Sequence, residues 1–126
     1  MFEEFDLSWE FTVEHVIAES LFKFYGVSSW EEYESPEIDA YRQKVDMVSL
    51  ITSDDPEIWI SNFGNEFNGK PLNLSELYHH AYHAREIKEQ ADAVGVATVI
   101  RYGNPTIYSD SNFEHYVQFL IRKLNE

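Results

Sequence analysis

The chain has 126 residues, 44% of them hydrophobic and 16% aromatic, which supports one modest core and excludes a chain disordered by composition. Its 23 acidic residues against 9 basic ones leave a formal net charge of −14, which disfavours nucleic-acid backbones and anionic membrane surfaces as partners. Zero cysteines exclude disulfides, thiol catalysis and cysteine-based zinc sites.

The start, MFEEFDLSWEF, is acidic where a secretory signal is basic, and no later stretch approaches the length of a membrane span. The expectation is a cytoplasmic chain without membrane contact, unless it is a piece of a longer, exported protein.

The first helix is expected over roughly 12–25, with Thr12 as N-cap, Val13, Val16, Ile17, Leu21 and Phe24 at helical spacing, and Gly26 as the stop. Ser29-Trp30-Glu31-Glu32 has the form of a capping box, and Ser35-Pro36 places proline at a first helical position. Asp39 to Met47 continues as helix or turn, and Asp54-Asp55-Pro56 breaks it. Ile58-Trp59-Ile60 has the character of a buried strand, apolar on both faces.

After the loop NFGNEFNGKPLN, the longest helix is expected over about 73–94, with Leu77, Ala81, Ala84, Ile87 or Lys88, Ala91 and Val94 inward and Gly95 at its end. VATVIRY, residues 96–102, is rich in β-branched residues and predicts a second strand. Ser111 with Glu114 predicts a capping box for a last amphipathic helix carrying Phe113, Val117, Leu120, Ile121 and Leu124. The whole, 1–126, reads as a single domain, mainly helical and cap-like over 1–50 and a β-α-β-α unit over 51–126. Such a unit makes a parallel strand pair with a right-handed crossover, and ligands collect at the carboxyl ends of its strands, here Ser61 to Glu66 and Gly103 to Tyr108.

VDMVSLITSDDPEIWIS followed by LYHHAYHAREIKEQADAVGVATVIRYG and a final amphipathic helix, about residues 41–124, resembles the C-terminal part of α/β-hydrolases of the esterase and lipase group related to carboxylesterases and acetyl-xylan esterases. The resemblance implies an α/β fold of two to three parallel strands with flanking helices, and an activity of serine ester hydrolysis. The family's Gly-x-Ser-x-Gly nucleophile motif is absent: GVSSW, residues 26–30, lacks the last glycine and follows a helix. The acid expected after the penultimate strand has only Glu66 as a substitute. No histidine follows the last strand, and His115 falls in the next helix. Ser-His-Asp hydrolysis therefore cannot run on this chain alone.

Among residues that can carry chemistry, Glu66 is the candidate catalytic acid, and Asn62, Asn65 and Tyr108 are binding candidates in the strand-end loops. His79 and His83, one turn apart beside His80, could hold a metal, yet the His-Glu-x-x-His form is absent and polar helix positions explain them better. No metal and no cofactor is expected. Asp54 and Asp55 fit a turn better than an acid–base pair. Phe5, Trp9, Phe11, Phe22, Phe24, Tyr25, Trp30 and Tyr33 could line a pocket, but core plus interface is favoured. Asn73-Leu74-Ser75 fits a helix start better than a glycosylation acceptor.

The leading expectation is an esterase-like hydrolase part, incomplete alone, that homo-oligomerises or joins a complementary hydrolase half. A self-standing, non-catalytic domain derived from that fold is a second. The third is a small acidic binding protein of immunity or inhibitor type, steered to a basic partner.

Overall fold

The computed structural model describes residues 16–62, 69–71 and 74–126. Their contacts group into two compact units, Met1–Leu50 and Ile51–Glu126. The sequence changes from a helical to a strand-and-helix pattern at the same place.

In the first unit, helix α1 (Val16–Tyr25) ends at Gly26, whose φ of +69° lets the Val27 amide donate to the Phe22 carbonyl at 2.9 Å. The candidate cap Thr12 lies outside the described residues. A single turn, α2 (Trp30–Tyr33), is capped by Ser29, whose hydroxyl accepts from the Glu32 amide at 3.2 Å. The second half of that box is displaced by one residue, because the Glu32 carboxylate accepts from the Ser28 amide at 2.6 Å. Helix α3 (Pro36–Val45) starts on Ser35 with proline in its first turn, as the sequence predicts. Phe22 is buried and meets Trp30 edge-on at 4.9 Å; Trp30, Tyr25 and Tyr33 continue the cluster. Among the described residues of the unit, Phe22 and Ala18 are buried, and Trp30, Tyr25 and Tyr33 pack half-buried around Phe22.

The second unit is built on a three-stranded sheet in the order β1-β2-β3. Strand β1 (Ile58–Asn62) follows the Asp54-Asp55-Pro56 turn, where Asp55 accepts from the Thr52 amide at 2.8 Å. It pairs in parallel with β2 (Thr98–Tyr102), Ile58 opposite Thr98 and Asn62 opposite Tyr102. Strand β3 (Tyr108–Ser109) runs antiparallel to β2, which corrects the expectation of parallel strands throughout. Only five residues separate β2 from β3, and a parallel connection needs a dozen or more. Val99 and Ile100 are fully buried, whereas all of β1 is only half-buried. The buried-strand expectation for Ile58-Trp59-Ile60 is corrected accordingly, since β1 is an edge strand among the described residues.

The long helix expected over 73–94 is broken into α4 (Leu74–Tyr78) and α5 (Tyr82–Val94). Histidines make the break. His79 donates from Nδ1 to the Ser75 carbonyl at 2.8 Å, and His83 from Nε2 to the Leu77 carbonyl at 2.7 Å. Both carbonyls also accept backbone amides, Ser75 O from His79 N at 3.1 Å and Leu77 O from His80 N at 3.3 Å, so each ring adds a second donor at the helix end. Between them His80 turns inward. Leu77, Ala81, Ala84 and Ala91 form the buried stripe, and Ala81, Ala84, Ile100 and Tyr102 make one core cluster with Ile60. The small side chains allow α5 to lie close on the sheet.

Helix α6 (Tyr116–Leu124) begins later than the Ser111 box predicts, with His115 and Gln118 forming the capping box. The Glu114 carboxylate is occupied instead by Arg122, at 2.8 Å, and the Glu114 carbonyl accepts from Trp59 Nε1 at 2.9 Å. No helix among the described residues is long and apolar enough to cross a membrane.

Asp110 closes the far side of β2. Its amide donates to the Ile100 carbonyl at 2.8 Å, and its carboxylate accepts from the Ile100 amide at 2.7 Å, Thr98 Oγ1 at 3.0 Å and the Tyr108 hydroxyl at 2.7 Å. Partial burial pushes its carboxyl up, but the three donors outweigh this and hold it below the ordinary carboxylate range. A group with a lowered folded value stabilises the fold above its unfolded value, and that contribution disappears as pH falls. Asp110→Asn should lower stability at neutral pH by about 2 kcal/mol in urea unfolding. As pH falls below about 4 the gap between variant and wild type should narrow, and it should vanish once the folded carboxyl is protonated; a gap that does not narrow on acidification would remove the carboxylate from this role.

Candidate functional site

The carboxyl ends of β1 and β2 lie side by side, and the register places Asn62, Tyr102 and Tyr108 in one row across the sheet. Directly opposed residues share a face, so all three point to the side covered by α5. The loop that follows Asn62 carries Asn65 and Glu66, and both lie outside the described residues.

Beyond Tyr102 the chain doubles back through Gly103, Asn104 and a cis Pro105. Gly103 has φ +90°, and a Cβ there would stand 2.7 Å from Ile107 Cγ1 and 2.8 Å from Ile107 N, so only glycine fits. Its amide donates to the Asn62 carbonyl at 2.9 Å and ties the two strand ends together.

Asn62 donates from Nδ2 to the His80 carbonyl at 3.1 Å. His80 is 1% exposed. Its Nε2 donates to the Gly69 carbonyl at 2.8 Å, and its Nδ1 accepts from the Tyr82 amide at 3.1 Å. A carbonyl only accepts and an amide only donates, so this is the neutral imidazole with its proton on Nε2. The ring thereby anchors the start of α5 and the chain at Gly69.

Tyr108 donates its hydroxyl to Asp110 and stacks on Tyr102 with ring centroids 5.6 Å apart. The bond to Asp110 and then burial raise the Tyr108 phenol above its ordinary value, and burial raises that of Tyr102. Both phenols therefore stay protonated at neutral pH and are not poised as bases or nucleophiles; Tyr108 serves as a donor to Asp110. Lys88 lies 5.6 Å over the Tyr108 ring, and Arg85 lies 3.8 Å over Tyr82.

The structure thus brings Asn62 and Tyr108 to one end of the sheet and engages each in bonds that hold the fold. His79 and His83 sit on either side of the helix break, not on one face of one helix, and each directs a ring nitrogen at a backbone carbonyl. Among the described residues, no three His, Asp or Glu side chains are placed to hold a metal ion. Sequence reasoning missed His80 and Asp110. His80 is visible as one of three neighbouring histidines, but nothing in that spacing marks which one turns inward. Asp110 stands two residues after Tyr108, and only the pairing of β3 reveals what its carboxylate reaches.

A second concavity belongs to the first unit. A groove of about 570 Å³ is lined by Phe24, Tyr25, Tyr33, Arg42 and Met47 among others. Arg42 lies 4.6 Å over the Tyr33 ring, and burial raises the Tyr33 phenol. Phe24 is 70% and Met47 82% exposed, so the rim is apolar and open. Such a groove can take up an apolar group, and the Ser49 hydroxyl beside it is turned to the Asp46 carbonyl at 3.1 Å.

Replacing His80 by alanine leaves the Tyr82 amide and the Gly69 carbonyl without these ring partners and opens a void. His80→Ala should cost about 2–4 kcal/mol in urea unfolding. Tyr108→Phe, which removes one of three donors to Asp110, should cost about 1 kcal/mol. Equal losses in the two variants would contradict the anchoring role given to the imidazole. No family model, curated protein or solved structure matches this chain.

Proposed function

We propose that this chain is the carboxyl-terminal part of an esterase-like α/β-hydrolase and stays catalytically silent until a complementary, nucleophile-bearing half joins it. The observation that carries this reading is the parallel β1–β2 pair, joined through α4 and α5 and followed by α6, with the carboxyl ends of the two strands side by side at Asn62 and Tyr102. Such ends are where parallel sheets hold their chemistry. The described groups there leave no nucleophile: Asn62, Tyr108 and Asp110 are engaged in hydrogen bonds, and burial keeps the Tyr102 phenol protonated. Glu66 belongs to the loop after β1 and is the acid that the completed site would use.

The purified chain should hydrolyse p-nitrophenyl acetate no faster than buffer. Co-expressed with a segment carrying Gly-x-Ser-x-Gly on a strand-to-helix turn, it should yield a complex that hydrolyses the ester, and Glu66→Gln should lower that rate about a thousandfold. A compact 14.8 kDa monomer with one sharp melt would count against a missing half.

A second reading, an acidic module for a basic partner, is favoured by the charge arrangement. Of the 9 basic residues, Arg42, Arg85, Lys88, Arg122 and Lys123 pair with this chain's own carboxylates. Among the described residues, further carboxylates such as Glu19, Glu31, Glu37, Asp46, Asp54 and Asp55 are exposed. In that case a basic protein such as egg-white lysozyme binds at low salt, and the affinity falls at least tenfold between 20 and 200 mM salt, about a threefold drop in screening length. Binding that ignores salt would eliminate the charge-steered reading.

A further inference from the structure

Two exposed features of the second unit meet at Trp59. The first is the outer side of β1. Ile58 N donates to the Ala97 carbonyl at 3.0 Å and the Asn62 carbonyl accepts from Gly103 N at 2.9 Å, so residues 58, 60 and 62 turn their backbone groups towards β2. By alternation, the amides and carbonyls of Trp59 and Ser61 point outward, where no strand pairs with them among the described residues. The strand, Ile-Trp-Ile-Ser-Asn, carries no proline, lysine or other charge to discourage pairing.

The second feature is α6. Tyr116, Val117, Leu120, Ile121 and Leu124 make one apolar stripe and are 43–85% exposed. The side held to the body carries the half-buried Phe119 together with Arg122 and Lys123, both on Glu57 at 2.8 and 3.0 Å. An amphipathic helix normally buries its apolar stripe, and this one is turned out. The Tyr116 ring lies 6.1 Å from the Trp59 ring, so the stripe begins beside the strand whose outer side is open.

A strand laid along β1 satisfies both features. It hydrogen-bonds Trp59 and Ser61, and every second side chain falls on the face that carries Trp59, Phe113 and Tyr116. A second copy of the chain is a poor occupant, because each copy brings a net charge of −14. We propose that the outer side of β1, together with the α6 stripe, docks an extended strand of a different polypeptide, neutral or basic, whose alternate apolar residues cover the stripe. This rests on the reading that the chain completes a larger sheet, and it names where completion occurs.

The test uses the full chain and a nonapeptide alternating valine and lysine, with amide hydrogen exchange read by NMR. In the free chain the Trp59 and Ser61 amides should exchange quickly. The peptide should slow both at least tenfold. A peptide N-methylated at alternate amides should have no effect, and Leu120→Asp should weaken binding about tenfold. Ser61→Pro removes an outward amide at an edge position that tolerates proline, and should abolish protection of Trp59; if that variant does not fold, the N-methylated peptide asks the same question of the wild type. Amides already protected in the free monomer would overturn the proposal, because the edge would be occupied. A dimer whose dissociation frees them would replace it with self-pairing. Binding indifferent to N-methylation would reduce it to charge attraction. Ester hydrolysis recovered with a nucleophile-bearing half while both amides still exchange quickly would sink the docking edge and keep the hydrolase reading. Protection by the peptide with no hydrolysis from any such half would do the reverse.

Discussion

The satisfaction of β2 is the constraint on which the second unit depends. Val99 and Ile100 are removed from water altogether, so every backbone amide and carbonyl between them needs a partner inside the protein. On one side β1 supplies a full parallel ladder. On the other, β3 is two residues long and stops short of Ile100. Asp110 completes that side with its own amide and its carboxylate, so that one residue stands in for a longer strand. The tight turn at Gly103 makes this possible by returning the chain to the level of Ile100 within a few residues.

The two sides of the sheet are treated unequally. Beyond β2 the edge is short and sealed by the side chains of Asp110 and Tyr108. Beyond β1 the outward groups of Trp59 and Ser61 carry no comparable device. Half-burial along the whole of β1 has the same origin, for a strand buried on both faces still needs neighbours on both edges to leave water. A sheet so arranged is finished on one side and extendable on the other.

Electrostatics decide how α6 is held. Arg122 reaches Glu57, Glu114 and Glu126, and Lys123 reaches Glu57 and Glu126. The hydrogen bond from Arg122, set against partial burial and joined by Lys123, lowers the Glu57 carboxyl below its ordinary range. Exposed ion pairs are individually weak, but Glu57 is largely covered and two cations share it, which makes a network and not a lone surface pair. With Trp59 bonded to the Glu114 carbonyl and stacked on Phe113, the start of α6 is fixed by polar and aromatic contacts. Its apolar stripe is left unused within the described residues. The same pairing consumes much of the scarce positive charge and leaves the surface strongly acidic.

Much of this was legible in the residues. Gly26, Gly95, Ser29, Ser35-Pro36 and the β-branched run at Thr98 act locally, through backbone angles and nearest-neighbour bonds, and the helices and strands they predict are present. Of the candidate residues, Asn62 and Tyr108 do stand at one strand-end row. Less visible were the features that depend on partners far along the chain. The small-residue stripe of α5 told which face is inward, but not that His80 would leave the helix to bond Gly69 and split it. Ser111 and Glu114 have the letters of a cap, yet Arg122 takes the carboxylate and moves the helix start to His115. The sequence by itself determined the first-unit helices with their Ser29 and Ser35 caps, strands β1 and β2, the Gly95 stop and the acidic balance, because each follows from local sterics or from composition. Only the tertiary structure decided that β3 turns antiparallel and Asp110 pairs with Ile100, because Ile100 still lacked partners on that side of β2, and that α6 shows its apolar side, because Arg122 and Lys123 are drawn to Glu57 far along the chain.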